Sequence, residues 1–190
     1  MRNPEFIIYT GPMASSKTSS LLMMLERFKY QNKNVVVFKP LIDDRYANAE
    51  IVSHNHSFRH SAVSIRNATE IMEYLMNADK VFECVVVDEA FMIPGIAENL
   101  IWLYRNGTTV VVSTLDISAT GNVFPEVQDM LPWATEIHKL TAVCTFCGED
   151  ARYTHRKNIS EDEIQVGGLD MYEPRCYKCC PAVNMRDYGN

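Results

Sequence analysis

Phe6-Ile7-Ile8-Tyr9-Thr10-Gly11-Pro12-Met13-Ala14-Ser15-Ser16-Lys17-Thr18 is the stretch whose reading decides the fold. Its first four residues are continuously apolar, as a strand buried on both faces requires. Thr10-Gly11-Pro12 breaks that strand, and from Lys17 to about Gln31 the pattern turns helical, with Leu21, Leu22, Leu25 and Phe28 at three- and four-residue spacing. Between strand and helix, Gly11 to Thr18 follow the pattern G-x-x-x-x-G-K-[ST] at every defined position but one. The exception is Ser16, which stands where the second glycine belongs. Such a loop aims successive backbone N–H groups and a helix N-terminus at phosphate. Gly11, Pro12, Met13, Ala14, Ser15 and Ser16 would form the cradle, Lys17 would neutralise the β- and γ-phosphates, and Thr18 would hold Mg²⁺ through its hydroxyl. Glycine at position 16 allows close backbone approach, and a serine Cβ there is expected to crowd the phosphate or shift the backbone.

Outward from this loop the alternation continues. Val35-Val36-Val37-Phe38 is a second strand stopped before Pro40, Val81 to Val87 a third, and Thr108 to Ser113 a fourth. Asn67 followed by Glu70 marks a helix start, with Ile71, Met72 and Leu75 on one face, and Leu100 to Tyr104 is helical. Strands alternating with helices imply right-handed crossovers and a parallel sheet with helices packed on it. The fold class is therefore α/β, a P-loop parallel sheet flanked by helices. The third strand ends in Asp88-Glu89, where a strand-terminal acid is the usual supplier of a Mg²⁺-linked carboxylate. Two adjacent acids allow Asp88 to serve the metal while Glu89 accepts a proton from an attacking hydroxyl. Asp43-Asp44-Arg45 follows the second strand, at the edge where ligands bind in open α/β sheets. Arg45 suits a transferring phosphoryl group, and Asp43 either the metal or the positioning of that arginine.

The chain carries 18 basic and 24 acidic residues among 190, a net charge of -6. That balance argues against a general nucleic-acid coat, which needs a basic surface. No apolar run reaches the roughly 18 residues of a membrane span, and the apolar run after Met1 to Glu5 is too short for a signal-peptide core. A soluble, cytoplasmic protein with no membrane or nucleic-acid partner is expected.

Six cysteines divide unevenly: Cys84 stands alone, and Cys144, Cys147, Cys176, Cys179 and Cys180 fall in the last 47 residues. Cys144-x2-Cys147 and Cys176-x2-Cys179 are matched pairs separated by 28 residues. In a reducing compartment such pairs favour a structural Zn²⁺ held by four thiolates over disulfides. Cys180 is a spare, and Cys84, inside a strand, reads as a small core residue. Residues 1–139 are thus expected to form the nucleotide-binding core and residues 140–190 a small C-terminal zinc-binding lobe. The segment between the cysteine pairs, with Arg152 to Lys157, Gly167-Gly168 and Tyr172, is suited to lie over a ligand and offer backbone groups. His54, His56 and His60 give no metal pattern.

A phosphate loop beginning Gly-Pro-Met, then Asp43-x-Arg45-Tyr46, Asp88-Glu89, Leu115-Asp116, Leu140-Thr141-Ala142-Val143-Cys144 and Gly167-Gly168-x-x-x-Tyr172, in this order, resembles the type II thymidine kinases. The resemblance runs from about Phe6 to Cys179. It implies transfer of the ATP γ-phosphate to the 5′-hydroxyl of thymidine, with Glu89 as the base and Lys17, Thr18, Asp43, Arg45 and Asp88 serving phosphate and Mg²⁺. It also implies that Met13, Leu115 and Phe124 line the nucleoside pocket. The segment carrying Val166 and Gly167 would cover the thymine ring, Tyr172 would sit near the sugar, and the chains would assemble as a homotetramer. The sequence departs from the family pattern at Ser16, at Ala90-Phe91-Met92 after the acidic pair, and at Ile117, Ala119 and Gly121 after Leu115-Asp116. Two of these changes remove aromatic surface that could stack on a base, and Phe91 is placed to replace part of it. The other readings are a kinase of another pyrimidine deoxynucleoside, such as deoxyuridine, and a catalytically impaired relative kept as a nucleotide sensor or scaffold.

Overall fold

A computed structural model describes residues 3–43, 50–52, 59–158 and 166–184. Strand β1 (Phe6–Thr10) is buried at all five positions and leads into helix α1 (Lys17–Tyr30). Then come β2 (Val35–Pro40), the short pair β3 (Glu50–Val52) and β4 (Arg59–Ser61), β5 (Val63–Ile65), α2 (Thr69–Asn77) and β6 (Cys84–Val87). The chain continues through α3 (Ile96–Arg105), β7 (Thr109–Thr114), α4 (Pro125–Met130) and β8 (Glu136–Lys139). Six strands form one parallel sheet in the order β5-β2-β6-β7-β1-β8. The sequence therefore reads correctly as a parallel α/β sheet flanked by helices.

Alternation along each strand divides the core in two. Phe6, Ile8, Phe38, Val85 and Val112 face one way, against Ile71 of α2, Ile96 and Leu100 of α3, and Val127 and Met130 of α4. Ile7, Tyr9, Val37, Val86 and Val111 face the other way, against Leu21, Leu22, Leu25 and Phe28 of α1. Each fully buried Leu, Ile, Val or Phe contributes about 1.5–3 kcal/mol of transfer free energy, so both faces of the sheet favour this one layering. The strands' C-terminal ends, at Thr10, Pro40, Val87 and Thr114, share one edge of the sheet.

Three boundaries differ from the sequence reading. The third strand begins at Cys84 rather than Val81, whose side chain is largely exposed. Its neighbours explain this: β2 starts at Val35 and β7 at Thr109, so the paired register begins at Cys84, preceded by the bonds of Glu83 to Asn34 O and from Thr109 N–H. The helix expected at Leu100–Tyr104 runs from Ile96 to Arg105. Its N-terminus is satisfied from α4, where Glu126 accepts from the N–H groups of Gly95 (2.7 Å) and Ala97 (2.8 Å). At α2, Asn67 Oδ1 accepts from Thr69 N–H and Glu70 reaches back to Arg66 N–H, a capping arrangement displaced by one residue. Strands β5 and β8 had no sequence signal, the first being very short and the second largely exposed.

Beyond Lys139 two small antiparallel hairpins follow, β9 (Ala142–Val143) with β10 (Asp150–Ala151) and β11 (Tyr153–Arg156) with β12 (Tyr172–Arg175). Ala142, Cys144, Ala151 and Cys176 form a separate small core there. Among the described residues, no helix is long and apolar enough to cross a membrane.

Candidate active site

The turn between β1 and α1 holds unusual backbone geometry. Gly11 has φ 137°, and a Cβ added to it would lie 2.4 Å from the Leu140 carbonyl oxygen, so glycine is required there. Ala14 (φ 60°) and Ser16 (φ 65°) are both left-handed, a conformation that costs an L-residue about 1–2 kcal/mol. Ser16, immediately before the first residue of α1, thus adopts the conformation that favours glycine, with its side chain exposed. The left-handed backbone at position 16 is therefore held by a serine, at the cost of local strain. Buried Ser15 donates its hydroxyl to Pro12 O at 2.8 Å, bracing the turn. Lys17 is 7% exposed and donates from Nζ to Gly11 O (3.0 Å) and Pro12 O (2.7 Å), which seats its charge at the loop.

Asp88 follows the last residue of β6 and is buried. Ser113, at the end of β7, donates its hydroxyl to Asp88 Oδ1 at 2.5 Å. The Thr18 hydroxyl lies 3.5 Å from Asp88 Oδ1 and 3.4 Å from Oδ2. Sheet order brings this about: β7 separates β1 from β6, and α1 returns over that face. Glu89 has φ 51°, so the chain turns left-handed directly after Asp88. Residues Met13 to Ser19, Asp43, Asp88 and Glu89 line one cleft. Lys39, Glu50, Ile51 and Val52 complete its lining. The hydroxyl and carboxylate oxygens of Thr18 and Asp88 are hard donors of the kind Mg²⁺ takes, so these residues fit that ion. Arg45 lies outside the described residues, as do His54 and His56.

Leu115 and Phe124 are buried in one apolar cluster with Phe91, and Met13 packs against it. Phe91 and Phe124 meet with ring centroids 4.7 Å apart at 42°. Of the residues suggested for a nucleoside pocket, Met13, Leu115 and Phe124 thus belong to this one core face, with Phe91 against Phe124, whereas Val166, Gly167 and Tyr172 lie outside it. Asp116 ion-pairs with Lys139 at 2.7 Å, tying the segment after Leu115 to β8.

The second lobe meets the phosphate loop through Thr154 of β11, whose Oγ1 accepts from Met13 N–H at 3.0 Å. Tyr172 is buried on β12, opposite Arg156, whose guanidinium lies 5.6 Å from its ring centre. Val166 and Gly167 are half-buried in the same lobe, and Gly168 O accepts from the N–H groups of Met171 (3.1 Å) and Tyr172 (3.0 Å). A Cβ on Gly167 would meet Met171 Sδ at 2.4 Å. The ligand atoms of Cys144, Cys147, Cys176 and Cys179 lie within 4.8 Å of one another. Four thiolates about 2.3 Å from one zinc stand about 3.8 Å apart, so the cluster fits a tetrahedral metal ion. Cys84 and Cys180 are outside it.

The sequence reading missed Ser113, Thr154 and Lys39. A Ser-Thr pair closing a run of three valines, and a lysine inside an apolar strand, were visible signals for Ser113 and Lys39. Thr154 had none, because its partner is 141 positions away.

A family model described as thymidine kinase matches residues 5–180. The thymidine kinase of Mycoplasma genitalium is 35% identical over 173 residues, covering 89% of this chain and 79% of the relative. That of Bacteroides thetaiotaomicron is 32% identical over 180 residues, with 94% and 87% covered. That of Thermococcus kodakarensis is 33% identical over 180 residues, with 89% and 90% covered.

Proposed function

Because the chain belongs to the thymidine kinase family, we propose that it transfers the γ-phosphate of ATP to the 5′-hydroxyl of thymidine, giving thymidine monophosphate. The observation that carries this reading is the convergence of Lys17, Thr18, Asp43, Asp88 and Glu89 on one cleft beside a left-handed phosphate loop.

In this mechanism the N–H groups of residues 11–18 and the Lys17 ammonium bind the triphosphate and spread its charge. Thr18 and Asp88 would hold Mg²⁺, which supplies charge neutralisation at the β- and γ-phosphates when bound. Ser113 fixes the Asp88 carboxylate by donating to it. Glu89 accepts the proton of the 5′-hydroxyl. Asp43 orients the neighbouring Arg45, which meets the phosphoryl group in flight. Phosphoryl transfer asks for positioned charge more than for covalent chemistry, and this set supplies it.

Met13, Leu115, Phe124 and Phe91 form the nucleoside wall. The segment from Val166 through Gly167 to Tyr172 covers the base, held by a zinc lobe of residues 140–190 on a kinase core of residues 1–139. Cytoplasmic homotetramers accompany this reading. The rival reading as an impaired scaffold is weakened by Ser16, which already takes the left-handed turn its replacement of glycine put at risk.

Incubation with ATP, Mg²⁺ and thymidine, followed by chromatography for thymidine monophosphate, tests the proposal. Glu89→Gln is expected to lower kcat by about 10²–10⁴-fold with ATP binding retained. Binding of both substrates by the unaltered protein without product would overturn it. Ranking thymidine against deoxyuridine by kcat/KM assigns the nucleoside.

A further inference from the structure

Lys39 is the second lysine of the cleft, and the chemistry above does not use it. It closes the run Val35-Val36-Val37-Phe38 in β2 and is 4% exposed. Burying an ammonium group costs several kcal/mol unless acceptors face it.

The sheet register places an acid beside it. Phe38 pairs with Val87, and Asp88 N–H donates to Phe38 O at 2.9 Å. Lys39 and Asp88 are the next residues on these neighbouring strands and share one face of the sheet. Val112 pairs with Val87, which puts Ser113 on the other side of Asp88, and Ser64 pairs with Lys39. One row therefore runs Ser64, Lys39, Asp88, Ser113, with a cation on one flank of the carboxylate and a hydroxyl on the other.

Charge in the cleft points the same way. Its described lining holds four carboxylates, Asp43, Glu50, Asp88 and Glu89, against two lysines. The Lys17 ammonium is drawn to the carbonyls of Gly11 and Pro12, on the loop side. Lys39 stands instead on the strand beside the one that ends at Asp88.

We propose that Lys39 is a positioning residue: its ammonium orients the Asp88 carboxylate toward the Mg²⁺ that accompanies the nucleotide, and balances the acids of the cleft before nucleotide binds. This inference rests on the kinase reading. A lysine in this role competes with free divalent ions for the same carboxylates, so its removal has opposite effects on metal binding and on turnover.

The test compares the unaltered protein with Lys39→Met, which keeps the stem and deletes the charge, and with Lys39→Gln as a second variant should the first not fold. Mn²⁺ binding to nucleotide-free protein is read by electron paramagnetic resonance. It is expected to tighten at least about fivefold in a variant, the direction set by deleting a like charge near the carboxylates. In the same variant kcat is expected to fall at least about tenfold with the thymidine KM little changed, as for an interaction made at the transition state alone. A folded variant whose Mn²⁺ affinity matches the unaltered protein overturns the role of Lys39 while leaving the kinase reading intact. Failure of the unaltered protein to bind ATP with Mg²⁺ overturns both.

Discussion

Thr154 Oγ1 accepts a hydrogen bond from the Met13 N–H at 3.0 Å, so strand β11, paired with the strand that leads into Cys176, touches the turn between β1 and α1 directly. Thr154 is 4% exposed, and Met13 also packs against the cluster of Leu115 and Phe124. In the proposed reading, Met13 thereby joins the nucleoside wall to the phosphate loop, with Thr154 holding it.

Thr154→Val keeps the shape and removes the acceptor, leaving the Met13 N–H without its partner. Loss of such a bond in a buried setting costs about 1–3 kcal/mol. Thermal unfolding should show a fall of several degrees, since about 1 kcal/mol corresponds to 2–4 °C in a chain of this size. KM for ATP and for thymidine should rise together, because one contact serves both. Thr154→Ser, which restores the hydroxyl, should return both constants toward their original values. A Val variant with unchanged constants would show that the contact does not couple the two sides.

Ser16 and Gly11 make opposite predictions from the same loop. Ser16 is exposed with φ 65°, so Ser16→Gly relieves a penalty of about 1–2 kcal/mol and gives back about 0.5–1 kcal/mol as lost unfolded-state restriction. Urea unfolding should show a net gain near 0.5 kcal/mol, with ATP affinity changed by less than about threefold, since the cradle is already formed. A large rise in turnover would instead mark the serine as disabling. Gly11→Ala should lose about 1–3 kcal/mol, the cost of overpacking, because the new Cβ would press on Leu140 O at 2.4 Å.

Much of this fold could be read from the chain because its strands are buried on both faces. Uninterrupted runs such as Val85-Val86-Val87 advertise themselves, and so does the strand–loop–helix with Lys17-Thr18 at the helix start. What escaped was set by pairing rather than pattern. Strand β8, Glu136 to Lys139, is mostly exposed and alternates in no clear way, and it becomes a strand because the open side of β1 accepts it. The start of β6 at Cys84 likewise depends on where β2 and β7 begin. In the site, Asp88 was legible as the acid ending a strand, whereas Ser113 and Lys39 flank it only through register across three strands. Residues proposed for the chemistry carry local signals; those proposed to position them are defined by neighbours far away in sequence.

The cysteines separate by environment, and that difference can be measured. Cys84 is fully buried in β6, and burial pushes its thiol up to about 12, with Lys33 drawing it only slightly back. Its thiolate is then negligible at pH 8, and iodoacetamide should not label it until the chain is unfolded. Cys180 is 1% exposed, and burial raises its thiol as well, so it should also resist. The four clustered thiolates should instead retain one zinc per chain, counted by elemental analysis of the purified protein. Cys144→Ser or Cys179→Ser should abolish that zinc, and Cys84→Ala should leave it in place. Loss of metal should act on the kinase through geometry: β12 runs directly into Cys176, and β11, which pairs with β12, carries Thr154. Loosening the cluster releases the strand pair, and with it the contact on Met13, so chelation should raise both KM values as Thr154→Val does. If chelation removed zinc without changing either constant, the lobe would hold its strands without help from the metal.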